Sequence, residues 1–400
     1  MVNSLYSKLL QSSILDNLRL ANEHLVFKIQ SIDPSVKLSE IVASINIEKV
    51  TPQIIASITY LLLDTLPVYG LAGVVSASDA AGCNWAAYIA MATVSLKDIL
   101  PVELRNKFPS IDFDVKIAFK DEVTGEWHFC MPDLCHLGKN AITSIELSSN
   151  KSSKRNIKKG KCPVNLGMAK HCWEATDGQT NQLQETKLTA RHFDKNAYSR
   201  MNVLLAFQVL SKSCAEMIRT AIADEDVTLS FTNKGIYNHL ADFCEHMNDL
   251  IDICNGRDGP HSPKNGVARQ TKLLNVLTWF FEWKKLHDSR VASEDADEYN
   301  FFARETWFCL RALILGHVAL IQTYCVEMNE EINPKSVNTD ICEWFFGDGR
   351  QMVGGSTNKL TARGWNNADY KAGAFNAGRH GLAKGNNASG ENAFKRQKWG

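Results

Sequence analysis

The sequence predicts a two-part chain, an α/β block followed by an all-α block. Over residues 24–150 short β-branched runs alternate with helical patterns, the alternation of an α/β layer. From about 196 to 330 nearly every segment carries apolar residues at helical spacing. Between them lies KSSKRNIKKGK (151–161), with six basic residues and no acid, which reads as a solvated loop able to contact phosphate or serve as a nuclear-import run. The length of 400 residues exceeds a typical domain of about 100–200 residues. Two domains, or one domain with a large insertion, are therefore expected.

The elements follow in order. HLVFKIQS (24–31) reads as a strand, and PQIIASITYLLLDT (52–65) as a helix with proline in its first turn. LAGVVSASD (71–79) is a short strand ending on Asp79, and AAGCNWAAYIAMATV is helical. KIAFKDEVTGEWHFCM (116–131) reads as a hairpin with a Thr-Gly turn, and PDLCHLGKNAITSIELSS (132–149) begins a helix. Four helical segments follow: AYSRMNVLLAFQVLSKSCAEMIRTAI, KGIYNHLADFCEHMNDLIDICNG, ARQTKLLNVLTWFFEWKKLH and YNFFARETWFCLRALILGHVALIQTYCVEMNEEI. NGRDGPHSPKNG (255–266) and SRVASEDADE (289–298) are loops by composition. Beyond about 360 the chain is rich in Gly, Asn and Ala and mildly basic, a composition that predicts poor order.

Lys+Arg and Asp+Glu are equal at 44 each, so any electrostatic sign of nucleic acid must be local. The 11 cysteines are scattered, without a C-x-x-C pair. The start, MVNSLYSKLLQSSILDNLRL, is an amphipathic polar mix rather than an apolar leader, and no run reaches the ~18 apolar residues of a membrane span. A reduced, intracellular, soluble protein is the expectation. His128, Cys130, Cys135 and His136 fit no common zinc spacing, and buried thiols in a sheet are the better reading.

Asp79, at the carboxyl end of a strand, stands where open α/β sheets place ligands; a helix N-cap is the plainer reading. Asp133, His136 and Lys139 line one helical face, the Asp as a cap, the His and Lys structural or DNA-facing. NTDICEWFFGDGRQMVGGSTNK (338–359) sets Asp340 and Glu343 three residues apart in a helix-like run. Its glycines follow a helix rather than a strand, and no G-x-x-x-x-G-K-[ST] occurs anywhere. A stand-alone GTPase is therefore disfavoured.

VVSASDAAGCNW, PDLCHLGKNAI, RMNVLLAFQVLSKS, NDLIDICNG and NTDICEWFFGDGR, in this order after the first strand, resemble the P element-type DNA transposases and their THAP-linked relatives. The resemblance covers roughly residues 20–375. It implies an RNase H-like sheet, here incomplete, interrupted by a large helical GTP-binding insertion. The implied segments are 1–150 for the first part of the RNase H-like domain and 151–335 for the insertion. Residues 336–375 would carry the catalytic helix, and 376–400 a basic tail. It further implies two Mg²⁺ ions held by three carboxylates for DNA cleavage and strand transfer, Asp79 and Glu343 being the second and third. No counterpart of the first acid or its strand is evident, so a front-truncated, catalytically impaired chain is expected. Lys187, Arg200, Val203, Ser211, Asp252, Asn255 and Asp340 stand at the positions implied to meet GTP. Implied partners are DNA, as transposon ends and target, with a possible homo-oligomer and no membrane, in the nucleus. The alternative is a non-catalytic nucleotide- or DNA-binding interaction protein that keeps the fold only.

Overall fold

The computed structural model describes residues 23–79, 81–148, 150, 153–177, 186–194, 200, 202–224, 234–294 and 298–339. The chain forms two compact units. In the first, β1 (Glu23–Gln30) pairs antiparallel with β2 (Ser39–Ile47), with a register shift at Phe27/Lys28. The sequence reading missed β2. Its SEIVASINI run mixes apolar and polar residues without clean alternation, and Val42, Ala43 and Ile47 are the buried ones.

The second unit holds residues 31–37 and 51–339. Its first helix, α1 (Pro52–Thr65), begins where Thr51 Oγ1 accepts the Ile54 amide and Pro52 occupies the first turn. It buries Ile55, Ile58, Leu62 and Leu63 on one face and stops through a 3₁₀ turn at Gly70, whose φ of 72° favours glycine. Then come β3 (Val75–Ser78), α2 (Gly82–Met91), β4 (Val94–Ser95), α3 (Val102–Asn106), β5 (Lys116–Lys120) and β6 (Trp127–Pro132). The sheet order is β3-β6-β5-β4, with β3 parallel to β6 and the β6–β5 and β5–β4 pairs antiparallel. The expected β5–β6 hairpin turns where the Asp121 carboxylate accepts the Val123 and Thr124 amides and Gly125 takes φ 74°. Helix α4 (Leu134–Leu147) follows β6 directly.

The basic run is a correction to the sequence reading. Its end is not a solvated loop but a docked hairpin, β7 (Lys158–Lys159) with β8 (Cys162–Pro163). Trp283 Nε1 donates to the Lys158 carbonyl at 2.7 Å, and Lys159 Nζ lies 4.1 Å from the Trp279 ring centre. Burial pulls the Lys159 ammonium below its usual pKa, partly offset by Asp242 and Glu282. Charge counting missed this because lysine stems pack while their heads seek rings or water.

The helical part comprises α5 (Leu166–Asp177), α6 (Ala190–Phe193), α7 (Val203–Val209), α8 (Lys212–Ala223), α9 (Asn238–Cys254), α10 (Gly266–Ala292) and α11 (Arg304–Leu320). The segment 197–222, read as one helix, breaks at Leu210, whose ψ of 48° leaves the helical region. Ser211 then caps a new helix through the Cys214 amide. Helix α10 runs to Ala292, past the expected break at 289, and buries Leu273, Leu277, Phe280, Trp283 and His287. Helix α11 continues as a π-helical turn over Ile321–Glu327. Arg304–Glu327 is long and apolar enough to cross a membrane, yet 89% of its apolar window is buried inside the protein. It is hydrophobic around its circumference because it is a core helix. A Cβ on Gly316 would lie 2.3 Å from Met131 Sδ on β6, so glycine permits the approach of α11 to the sheet. The α/β and helical blocks share one hydrophobic core, from Phe129 and Met131 to Phe280 and Leu313.

Candidate functional site

The parallel pair β3–β6 brings two aspartates together at its carboxyl end. Ser78 pairs with Pro132, and the Asp133 amide donates to the Ser78 carbonyl at 2.8 Å. Asp79 and Asp133 thus follow neighbouring parallel strands, at the sheet edge where open α/β sheets place ligands, with the Asp133 side chain itself buried. Asp79 is half-buried. Its Oδ1 accepts the Ala81 amide at 3.2 Å and Asn84 Nδ2. Ala81, not Asp79, occupies the N-cap of α2.

Asp133 is the N-cap of α4. Its Oδ2 accepts the His136 amide at 2.8 Å and lies 2.8 Å from His136 Nδ1. Its Oδ1 accepts the Thr339 amide at 2.8 Å. Burial would raise this carboxyl's pKa, but hydrogen bonds from His136 and the Thr339 amide hold it below the usual value. His136 therefore serves as a partner of the cap. His128 and Cys130 are buried on β6, and Cys135 is buried in α4; His128 bonds Ser76 Oγ and the Gly73 carbonyl at 2.8 Å each.

Asp340 and Glu343 lie outside the described residues. Among the described residues, no group of three or more His, Cys, Asp or Glu is placed to hold a metal ion. These residues alone therefore do not make up a magnesium site.

The implied nucleotide residues divide into two sets. Asp252 belongs to a hydrogen-bonded chain that starts at the Lys212 amide, directly after Ser211, and Asn255 lies three residues beyond Asp252 at the end of the same helix. Ser211 caps α8, its Oγ accepting the Cys214 amide at 3.2 Å and donating to the Gln208 carbonyl at 2.7 Å. The next amide, of Lys212, donates to Asn248 Oδ1 at 3.1 Å. Asn248 Nδ2 donates to Asp252 Oδ2 at 2.8 Å, and Arg257 Nη1 reaches Asp252 Oδ1 at 3.3 Å. Asn255 caps the end of α9, and Asn338 Nδ2 donates to its Oδ1 at 3.4 Å. The other set stands apart from this network. Lys187 is exposed ahead of α6, and Arg200 is paired with Glu146 on α4 at 2.8 Å. Val203 opens α7, whose cap is Asn202 through the Leu204 and Leu205 amides.

The sequence reading missed Asn248, Arg257 and Asn338. Asn248 carried a legible signal, one turn before Asp252 on the same helical face. Asn338 carried none, since it reaches Asn255 across a separation of 83 residues. Ser211→Ala should cost about 1 kcal/mol through loss of the cap whether or not nucleotide is present. Urea denaturation in its absence checks this, and a wild-type midpoint would deny the cap its role.

Residues 143–264 match the family model of the TNP-like GTP-binding insertion domain. The fold is similar to a solved structure, the Drosophila P element transposase strand transfer complex, with a TM-score of 0.58 at 15% identity over 86% of this chain and 74% of that one. Together they support a P element-type transposase. Compared by sequence with curated proteins, the chain matches none. At this identity the structural likeness bears on the fold, which is mixed α/β with helices in the majority. The matched segment spans Lys187, Arg200, Val203, Ser211, Asp252 and Asn255, every implied nucleotide residue but Asp340.

Proposed function

We propose that the chain binds a guanine nucleotide through its helical part and DNA beside the carboxyl ends of β3 and β6, as a P element-type transposase does both. The observation that carries this reading is the pair of hydrogen bonds from the Lys212 amide to Asn248 and from Asn248 to Asp252, starting directly after the Ser211 cap, within the segment matching the GTP-binding insertion domain. Guanine offers two adjacent N–H donors on one edge, and Asp252 offers a carboxylate with room for both. Its contact with Arg257 is long, and the Arg257 side chain is 73% exposed, so a ligand displaces it at little cost.

The proposal extends to residues 1–150 as the first part of an RNase H-like domain, 151–335 as the insertion, 336–375 as the catalytic helix and 376–400 as a basic tail. Lys187, Arg200, Val203 and Asp340 complete the nucleotide contacts. Asp79 and Glu343 are the metal-holding acids, and Mg²⁺ would supply activation of water or a DNA 3′-OH. Asp133 shapes that end of the sheet by fixing the chain at Thr339. The proposed setting is nuclear, with self-association on DNA.

A thermal-shift titration tests the nucleotide reading. GTP at a hundred times its Kd should add about 2.7 kcal/mol of stability, with ATP adding little and Asp252→Ala removing the response. Equal shifts with GTP and ATP, or an Asp252→Ala variant that responds like wild type, would leave the non-catalytic interaction protein as the better reading.

A further inference from the structure

Asn248 is buried, and a buried amide needs partners at both ends. Here the partners are of opposite kinds. Oδ1 accepts the main-chain N–H of Lys212 at 3.1 Å, and Nδ2 donates to Asp252 Oδ2 at 2.8 Å. A main-chain amide only donates and a carboxylate accepts, so the Asn248 amide has one possible orientation. One end of Asn248 is thus fastened to the first residue of α8, directly after the Ser211 cap, and the other end to the side chain of Asp252 on α9.

We propose that Asn248 is a positioning residue for guanine recognition, locking the rotation of the Asp252 carboxylate against the start of α8. This rests on the guanine-nucleotide reading above. A carboxylate turns freely about its last side-chain bond, because that torsion is broad. A guanine edge needs both the ring N1–H and the 2-amino N–H to meet oxygens in one plane. With Oδ2 tied to Asn248, that plane is set before the ligand arrives, and the cost of ordering is not charged to binding. Oδ2 keeps acceptor capacity beyond the bond to Asn248. Oδ1 faces Arg257, whose long contact gives way to a ligand donor. In the proposed pose the ring N1–H meets Oδ1, where Arg257 gives way, and the 2-amino group meets Oδ2, so Asn248 acts on that second contact more than on the nucleotide as a whole.

Inosine triphosphate lacks that amino group, so the ratio of its Kd to that of GTP isolates the second contact. Calorimetry on the full chain with GTP, inosine triphosphate and ATP is the experiment. The wild type should prefer GTP over inosine triphosphate by about ten-fold or more, the scale of one charge-assisted hydrogen bond. Asn248→Ala should shrink that preference to about two-fold, with the inosine triphosphate Kd changing less than about three-fold. Asn248→Leu, which is close in shape and offers Asp252 no donor, should do the same. It also serves if the alanine variant does not fold. If either folded variant weakens both nucleotides by one common factor, Asn248 only supports the helices and the proposal fails, while the guanine reading stands. If the wild type does not distinguish GTP from ATP, the guanine reading fails and takes this proposal with it.

Discussion

Acidification from about pH 7 to about pH 4 should strip the protein of most of its stability, through histidines buried neutral in the core. His128 and His317 are each 1% exposed. Burial lowers both from 6.5 to about 4, opposed at His128 by the Gly73 carbonyl and Asp121. His261 is lowered further, to about 2, by burial and then by His317 and Arg269. Its Nδ1 lies 2.8 Å from Arg269 Nη1, and its ring centre lies 5.9 Å from that of His317. The sign follows from proton counting. Between pH 6.5 and about 4 the unfolded chain binds protons at these positions and the native protein does not. Stability is complete above the unfolded pKa of about 6.5 and falls as pH drops through this window. At about 1.4 kcal/mol per unit, His128 and His317 each account for about 3 kcal/mol, against a total of about 5–15 for a typical native protein. Urea midpoints measured across the window would show a steep decline. His317→Phe, which removes one titrating group from an apolar site, should flatten it by about 3 kcal/mol. A midpoint that holds constant down to about pH 4 would mean these imidazoles charge in the folded state.

Trp283→Ala should be among the most damaging single substitutions in the helical part. Trp283 is fully buried. Its ring centre lies 5.3 Å from Trp279, 5.4 Å from Phe301, 5.6 Å from Phe302 and 6.2 Å from Phe243. Truncating such a side chain costs about 3–5 kcal/mol from lost transfer energy and the cavity left behind. The Lys158 carbonyl also loses its Trp283 donor, which adds about 1 kcal/mol and leaves the β7–β8 hairpin held to α10 by Lys159 on Trp279 and by Arg290 on the Gly160 carbonyl. Trp283→Phe refills much of the volume and should lose chiefly the hydrogen bond. Denaturation of the two variants separates the terms, and equal midpoints for the alanine and phenylalanine forms would refute the packing account.

Much of the helical part was legible because periodicity reports burial directly. In α10 the spacing of Leu273, Leu277, Phe280 and Trp283 already marks one face. The pairing of β3 with β6 was foreshadowed only at Asp79, since strand patterns do not say which strands are neighbours. The break at Leu210 was hidden because apolar spacing runs through it. The cap that decides it depends on the rotamer of Ser211 and on the backbone at Leu210. The network at Asp252 was half legible. The i, i+4 pair with Asn248 lies within one helix, while its other anchor, Lys212, lies 36 residues away.

By itself, the sequence determined the α/β-then-helical order, the helix faces, the Asp133 cap and the ordered motifs that resemble the P element-type transposases. These are local matters, set by side-chain period, cap chemistry and turn residues. Only the tertiary structure decided that the end of the basic run docks on α10, that Asp79 and Asp133 follow adjacent parallel strands, and that Thr339 is fastened to Asp133 across 206 residues. It also decided that Asn248 joins Asp252 to the start of α8. Each depends on hydrogen-bond partners distant in sequence, and a buried polar group is satisfied by whichever donor the packing brings within reach.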